Sequence, residues 1–437
     1  MSEEHNLNQP VTIPYDPGNI TIDSCDLVHA NGKLSLLGAM NEFRISFSTH
    51  EMSSLCGINV LDTTDTLADL DPDGTEVLTI GWHSEGDREI KQTYSIFKTD
   101  IQLDPNMGNG KLYSFTGISH THMQQLTMDV NRSFSGTIKD FVKNIFREIP
   151  QKIQTYAPID VHETTGISTL IIPGETPFEA IERLTNRAFS STYSSSVYQF
   201  YQNSKGYCFH NIEQLIAEGR KDATTYVYTP NGAVADDLKT IAGKFMIVDI
   251  EFPMAKDIIH KIMNGAYASS VKEIDIIGQK IDTTELKVKE NFNDFYHLDQ
   301  PAMTLDKINV INEKLNVSNT TKWVHKYFDG NRHLDFKWGP QITKRKFYAD
   351  SLDQLQMNAV IHGNSNLDCG DIIDLSMLER SGNTSTPEQE KKISGKYIID
   401  TIVHYYKNGS YACTLQCSKE SNRANVSNLD EYIIGDK

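Results

Sequence analysis

Hydrophobic and polar positions recur along this chain with two different periods, and the switches between them divide it. Over residues 77–82, Leu78, Ile80 and Trp82 alternate with Val77, Thr79 and Gly81. That period of two predicts a strand. Residues 93–101 and 111–119 predict two more. The turn-forming runs 71–74 (Asp-Pro-Asp-Gly) and 104–110 (Asp-Pro-Asn-Met-Gly-Asn-Gly) punctuate the region. Residues 1–130 are therefore expected to form a small antiparallel barrel or sandwich. The period then lengthens to 3.6. Ile138, Phe141, Val142, Ile145, Phe146 and Ile149 make one apolar stripe, opened by Thr137 with Asp140 three positions on. A second helix is predicted from Thr176, the N-cap, with Pro177 as first helical residue and Glu179 as reciprocal partner. Its buried face is Phe178, Ile181, Leu184 and Ala188. A hairpin follows, carrying Tyr198, Phe200, Tyr207 and Phe209 on either side of residues 203–206. Residues 131–222 are thus expected to be α/β.

Strands return at 226–228, 244–252 and 271–277, interrupted by a predicted helix over 256–264 with Gly265 as its C-terminal cap. Residues 291–346 lack a clear period and read as an inserted subdomain or long connection. The most regular stretch comes last. Tyr397, Ile399, Thr401, Val403 and Tyr405 are expected on one strand face, and Ile398, Asp400, Ile402, His404 and Tyr406 on the other. Asn408-Gly409 then predicts a tight primed turn, whose two central residues need positive φ. Tyr411, Cys413, Leu415 and Cys417 share a face of the returning strand. The predicted order is β, α/β, β, insert, β.

Composition adds bounds. The chain has 437 residues, 38% of them hydrophobic and 9% aromatic, enough for two to four folded domains. No apolar run reaches the roughly 18 residues needed to cross a bilayer, and the polar start at Met1–His5 predicts a soluble, unexported chain. The net charge of −17 argues against nucleic acid as a binding partner. It suits either plain solubility or a surface that nucleic acid passes without sticking. None of the six cysteines forms a Cys-x-x-Cys pair, so reduced and mostly buried thiols are expected.

Chemistry-bearing constellations are sparse. Asp69, Asp71, Asp73 and Gly74 match the start of a calcium loop, but the twelfth position, which needs a bidentate Glu, is Ile80. An acidic turn is the favoured reading and a weak divalent site the other. His120 and His122 would share a strand face as half a zinc site, with no further ligand at motif spacing. His162-Glu163 does not belong to a His-Glu-x-x-His. Lys344-Arg345-Lys346 reads as a solvated basic patch, and the 198–209 aromatics as core in preference to a sugar-stacking face. No nucleophile elbow, Walker A loop or dinucleotide fingerprint occurs. No catalytic, cofactor-binding or metal residue is predicted, although a glycosidase carboxylate pair is not excluded by sequence.

Two passages carry a resemblance. Residues 363–375 read Gly-Asn-Ser-Asn-Leu-x-x-Gly-Asp-Ile-Ile-x-Leu, and residues 394–404 read Ser-Gly-Lys-Tyr-Ile-Ile-x-x-Ile-Val-His. Together they resemble the C-terminal β segment of baseplate hub proteins of T-even-type contractile-tailed phages. Residues 113–119 with 132–142, residues 172–181 leading to 198–209, and residues 265–269 with 275–282 are similar to successive passages of the same family. The resemblance implies a mainly β fold with α+β parts: two tail-tube-like antiparallel β-barrels, a peripheral α/β domain and an inserted subdomain. The barrels would be residues 1–130 and residues 223–290 with 347–420. Residues 131–222 would be the α/β domain, 291–346 the insert or connector, and 421–437 a C-terminal tail. It further implies a non-enzymatic homotrimeric hub of the virion tail baseplate, assembled in the host cytoplasm. The hub would join the hexameric tail tube to the trimeric cell-puncturing spike and touch other baseplate proteins and the tape measure. DNA would pass through without specific binding, and no membrane insertion or cofactor is implied. The alternatives from other classes are a glycan- or peptidoglycan-acting tail enzyme and a carbohydrate-binding adhesin module.

Overall fold

A computed structural model describes residues 18–30, 32–70, 72–103, 110–149, 158–228, 244–254, 263, 265, 267–276, 278–299, 320–325, 338–352, 354–377 and 393–421. The N-terminal part holds β1 (Ile20–His29), β2 (Gly32–Ser35), β3 (Met40–Ser48), β4 (Leu55–Asp62), α1 (Thr66–Leu70), β5 (Val77–Ser84), β6 (Ile90–Leu103) and β7 (Lys111–Ser119). Then come α2 (His120–Gln125), β8 (Val130–Gly136), α3 (Ile138–Arg147), β9 (Ile159–Val161), β10 (Ser168–Glu175), α4 (Pro177–Thr185), β11 (Tyr198–Asn203), β12 (Gly206–Asn211) and α5 (Ile212–Gly219). The C-terminal part comprises β13 (Thr224–Tyr228), β14 (Ile247–Met254), β15 (Ala268–Asp275), β16 (Lys280–Lys287), α6 (Val288–Asn291), β17 (Thr320–His325), α7 (Trp338–Leu352), β18 (Leu355–His362), β19 (Ile372–Met377), β20 (Gly395–Lys407) and β21 (Ser410–Lys419). Apart from Met263 the predicted helix over 256–264 lies outside the described residues, as do residues 104–109 and the tail beyond Ser421. No helix among the described residues is long and apolar enough to cross a membrane.

The fold is mainly β, and strands expected in the two barrels are joined in one sheet. β1–β7 and most C-terminal strands belong to one 13-stranded sheet, in the order β14-β18-β21-β20-β3-β4-β7-β6-β5-β1-β2, with β19 on β20 and β13 on β19. β15 and β16, expected in the second barrel, form a separate three-stranded sheet with β17. Among the described residues no ladder closes either set into a barrel. The C-terminal set comes nearest: a single parallel bridge, Val227 with Met246, joins β13 to the residue before β14.

The cause of the fusion is β20. Its first residues, Gly395–Ile398, pair with β19, and its later residues, Thr401–Lys407, pair with β3. Along its other edge it runs antiparallel to β21, with a register shift between Ile399 and Thr401. Asp400 is the extra residue of this bulge. A bulge exchanges the faces of a strand, so the strict alternation expected from the sequence breaks here. Tyr397 and Ile399 are buried before it, Ile402 and His404 after it. The displaced Asp400 carbonyl accepts the Thr49 amide at 2.8 Å, beside the start of the β3 pairing. The predicted turn is present, with φ of 50° at Asn408 and 88° at Gly409.

One hydrophobic core therefore runs through both strand sets, from Cys25, Phe43, Ile80 and Trp82 to Ile399, Ile402, Leu415 and Cys417. At its centre Trp82 Nε1 donates to the Tyr411 hydroxyl at 3.2 Å, and that hydroxyl lies 2.7 Å from His404 Nδ1. An indole can only donate, so the Tyr411 oxygen accepts from Trp82. Burial, and then the Arg88 charge, hold the imidazole neutral by pushing its pKa down to about 3. All six cysteines are free and buried in the fold.

A second core belongs to the middle region. The predicted stripe of α3 (Ile138, Phe141, Val142, Ile145, Phe146) packs with Phe178, Ile181 and Leu184 of α4 and with the β11–β12 hairpin. Thr137 Oγ1 accepts the Asp140 amide at 3.2 Å, and the Thr176 amide donates to Glu179 Oε2 at 3.0 Å, so both predicted N-caps form. Phe178 meets Phe200 edge to face at 5.0 Å, which makes the hairpin aromatics core. A third, smaller cluster includes Phe295, Leu298, Phe347 and Tyr348. It packs against Ile212 and Ile216 of α5 and against Ile398 of β20.

Candidate functional site

The residues that carry the family resemblance fold into a joint. Residues 363–371 connect β18 to β19 and meet two other segments, the β5–β6 turn and the β11–β12 turn. Arg88 Nη2 donates to Asp368 Oδ2 at 2.5 Å and to Ser204 Oγ at 2.6 Å, and the Ser204 amide donates to Asp368 Oδ1 at 2.9 Å. Asp368 is almost fully buried and Arg88 partly so, and both Asp368 carboxylate oxygens accept hydrogen bonds. Alongside it, Lys244 pairs with Asp87, Asn366 Nδ2 donates to Asp87 Oδ1 at 2.6 Å, and the Ser365 amide donates to Ser84 Oγ at 2.9 Å. Two glycines make the close approach possible. A Cβ on Gly363 would lie 1.8 Å from the Tyr411 ring, and one on Gly370, whose φ is +91°, would lie 2.8 Å from the Tyr201 hydroxyl. Asp371 accepts the Asp368 amide at 2.8 Å. Burial, and then the neighbouring Asp368 charge, push its carboxyl up to about 6.

The predicted chemistry-bearing residues fall elsewhere. His120 and His122 do not share a strand face, because β7 ends at Ser119 and both lie on α2. Two positions apart on a helix they diverge. His120 Nδ1 is 2.8 Å from Ser95 Oγ, while His122 sits edge-on to Phe178 at 5.2 Å. Arg345 is not a solvated cation: it donates to the carbonyls of Ser196, at 2.9 Å, of Ala188, at 2.6 Å, and of Asn186. In the acidic turn Asp71 lies outside the described residues. Asp73 Oδ1 accepts the Thr75 amide at 2.9 Å, and Glu76 Oε1 accepts the Asp73 amide at 2.6 Å. His29 completes a cluster there with Asp73 and Glu76, whose ligand atoms all lie within 4.8 Å of one another.

A second cluster of this kind was not visible in the sequence. The parallel pairing of β9 with β12 brings Asp160, His162 and His210 together, again within 4.8 Å. The two imidazoles stack at 4.1 Å. The hydrogen bonds argue against a metal. The Asn211 amide donates to His162 Nδ1 at 3.0 Å. A backbone N–H keeps its proton, so neutral His162 carries its own proton on Nε2 and has no lone pair to offer from that atom. Burial, and then the His210 charge, hold its pKa at about 3. His210 is 3.0 Å from Asp160 Oδ2 through Nε2 and 3.0 Å from the Tyr201 hydroxyl through Nδ1. The cluster is a satisfied hydrogen-bond chain.

One open concavity of about 450 Å³ lies where the β3–β4 turn faces α2, α4 and β11. Met52, Leu55, Ile118 and Phe200 contribute apolar surface, and Glu51 and Glu182 contribute carboxylates.

This geometry defines a scaffold: three segments far apart in sequence, locked by buried polar contacts onto one continuous sheet. The same fold occurs in tail proteins. The chain is similar to the tail protein from Neisseria meningitidis MC58, with a TM-score of 0.53, 9% identity, and coverage of 92% of this chain and 96% of that one. It is equally similar to the 43 kDa tail protein of prophage MuSo2 from Shewanella oneidensis, with a TM-score of 0.53, 8% identity, and coverage of 91% and 98%. No family model matches the sequence, and no curated protein matches it. The likeness is one of fold, shared over nearly the whole chain at low sequence identity.

Proposed function

We propose that this chain is a structural component of a phage-type contractile tail: the baseplate hub, three copies of which join the hexameric tail tube to the trimeric cell-puncturing spike. The observation that carries this reading is the fold shared with two tail proteins over more than nine-tenths of the chain. The residues of the joint support it as well. They are the residues of the sequence resemblance, and their side chains hold segments together instead of facing a reaction centre.

In this reading residues 1–130 and residues 223–290 with 347–420 are two tube-like units, which three subunits repeat as six around a channel. Residues 131–222 and 291–346 lie at the periphery, where they meet the spike, other baseplate proteins or the tape measure. The tail is residues 421–437. An obligate ring of this kind buries roughly 2,000–5,000 Å² per interface. The −17 charge of each copy lets DNA slide past a wall that repels phosphate. The chain works in the virion, without turnover or cofactor.

Light scattering across a concentration series, with electron microscopy of the largest species, tests this. A mass three times that of the 49.3 kDa chain, in rings with a central channel, is expected. A monomer at all concentrations and in the presence of its spike, or turnover of cell-wall fragments, overturns it.

A further inference from the structure

As a calcium loop the acidic turn before β5 lacks its bidentate Glu, Ile80 standing at the twelfth position. The fold supplies a ligand that the spacing could not show. Val28 pairs with Val77 at the end of the β1–β5 ladder, so His29 and Glu76 come opposite each other just beyond it. The Ile96 amide donates to the Glu76 carbonyl at 2.9 Å and ties this end of the ladder to β6. His29, Asp73 and Glu76 then offer one imidazole nitrogen and two carboxylate oxygens within 4.8 Å of one another. Glu76 is fully buried, and no Lys or Arg among the described residues forms an ion pair with it. Buried charges are as a rule paired or bound to a metal.

We infer that this cluster is a site for a divalent transition-metal ion of the zinc type. Both carboxylates keep a free lone pair. Glu76 Oε2 accepts one bond, from the Gly74 amide at 3.0 Å, and a carboxylate oxygen has room for two. Asp73 Oδ1 accepts from the Thr75 amide and hydroxyl, at 2.9 and 2.6 Å, while Oδ2 accepts nothing among the described residues. The His29 side chain is 7% exposed, and its Nε2 lies 3.7 Å from Asp73 Oδ1, beyond a direct hydrogen bond. Two ligands bound to tetrahedral zinc at ~2.0–2.1 Å stand about 3.4 Å apart, so little closure is needed. An imidazole with two carboxylates suits zinc and its neighbours, whereas calcium takes oxygen alone. A bound ion offsets the buried Glu76 charge and fastens the turn before β5 to the end of β1. The inference holds whether or not the chain is a hub.

The test uses the full chain, stripped with a chelator and titrated calorimetrically with Zn²⁺. Saturable binding at micromolar zinc is expected, undisturbed by excess Ca²⁺ or Mg²⁺. Asp73→Asn keeps an Oδ1 acceptor for Thr75 and removes the open carboxylate oxygen. It should leave the metal-free thermal transition in place and weaken binding at least tenfold. His29→Gln should weaken binding as much, while His210→Gln, at the other histidine–carboxylate cluster, should leave it unchanged. Co²⁺ in place of Zn²⁺ should give visible absorption bands that Asp73→Asn abolishes. No saturable binding up to millimolar zinc, displacement by Ca²⁺, binding unchanged by Asp73→Asn or His29→Gln, or binding lost with His210→Gln overturns the proposal.

Discussion

His404 offers the sharpest test of the shared core. It is fully buried, and its Nδ1 lies 2.7 Å from the Tyr411 hydroxyl. Burial, and then the Arg88 charge, push its pKa from the usual 6.5 to about 3. The sign follows from linkage. Above pH 6.5 the imidazole is neutral in both the folded and the unfolded chain and contributes no pH dependence. As pH falls from 6.5 towards 3, the unfolded chain takes up a proton that the folded chain refuses. Stability then drops by about 1.4 kcal/mol per pH unit from this group. By pH 4.5 the loss is about 2.7 kcal/mol. At an unfolding entropy of about 2.1 cal/mol/K per residue, that is about 3 °C for a chain of this length. His404→Gln places an amide oxygen where Nδ1 stood and removes the titration. Calorimetry of both proteins at pH 7.5 and 4.5, at matched ionic strength, should show the variant losing about 3 °C less between the two conditions. Equal losses would mean that His404 is protonated or hydrated in the fold, and would refute the reading of a dry, neutral imidazole in the shared core.

Two other expectations concern the joint. Asp371 is held at about 6, above the ordinary 3.8, so it favours the folded state below pH 3.8 and penalises it as pH rises through 6. Asp371→Asn keeps an acceptor for the Asp368 amide. It should stabilise the protein by at most about 3 kcal/mol at pH 8, with the gain fading towards pH 4, as followed by urea unfolding. Gly363→Ala drives a methyl group into the Tyr411 ring and should destabilise by about 3 kcal/mol or more, or abolish soluble expression. A thermal transition within 1 °C of the parent, roughly 1 kcal/mol at this chain length, would contradict the packing at that position.

Local chemistry made part of this fold legible in the sequence. The caps at Thr137 and Thr176 and the Asn408-Gly409 turn each depend on residues within four positions, and all three form. The alternation over 77–82 was readable because β5 pairs with β6 in one register throughout and keeps Leu78, Ile80 and Trp82 buried. Over 397–406 the same reading failed at Asp400, where the ladder with β21 shifts register and the freed carbonyl takes the Thr49 amide, some 350 residues earlier in the chain. Arg345 looked solvated beside two lysines, since nothing local announces the carbonyls of Asn186, Ala188 and Ser196. His210 escaped notice for a similar reason: its neighbours Asp160 and His162 arrive through a three-residue parallel strand. The joint itself lay inside the motif that carried the resemblance. Its role was hidden because Arg88 and Ser204 belong to other segments.

The bulged strand β20 also decides how this molecule carries load. Ile398 is its last residue paired with β19 and Thr401 its first paired with β3, so a pull on either strand set travels along one polypeptide backbone into the other. In a sheet the hydrogen bonds lie across the strands. Tension along β20 therefore shears many of them together instead of opening them one by one. The two strand sets thus share load through the ladders on either edge of β20.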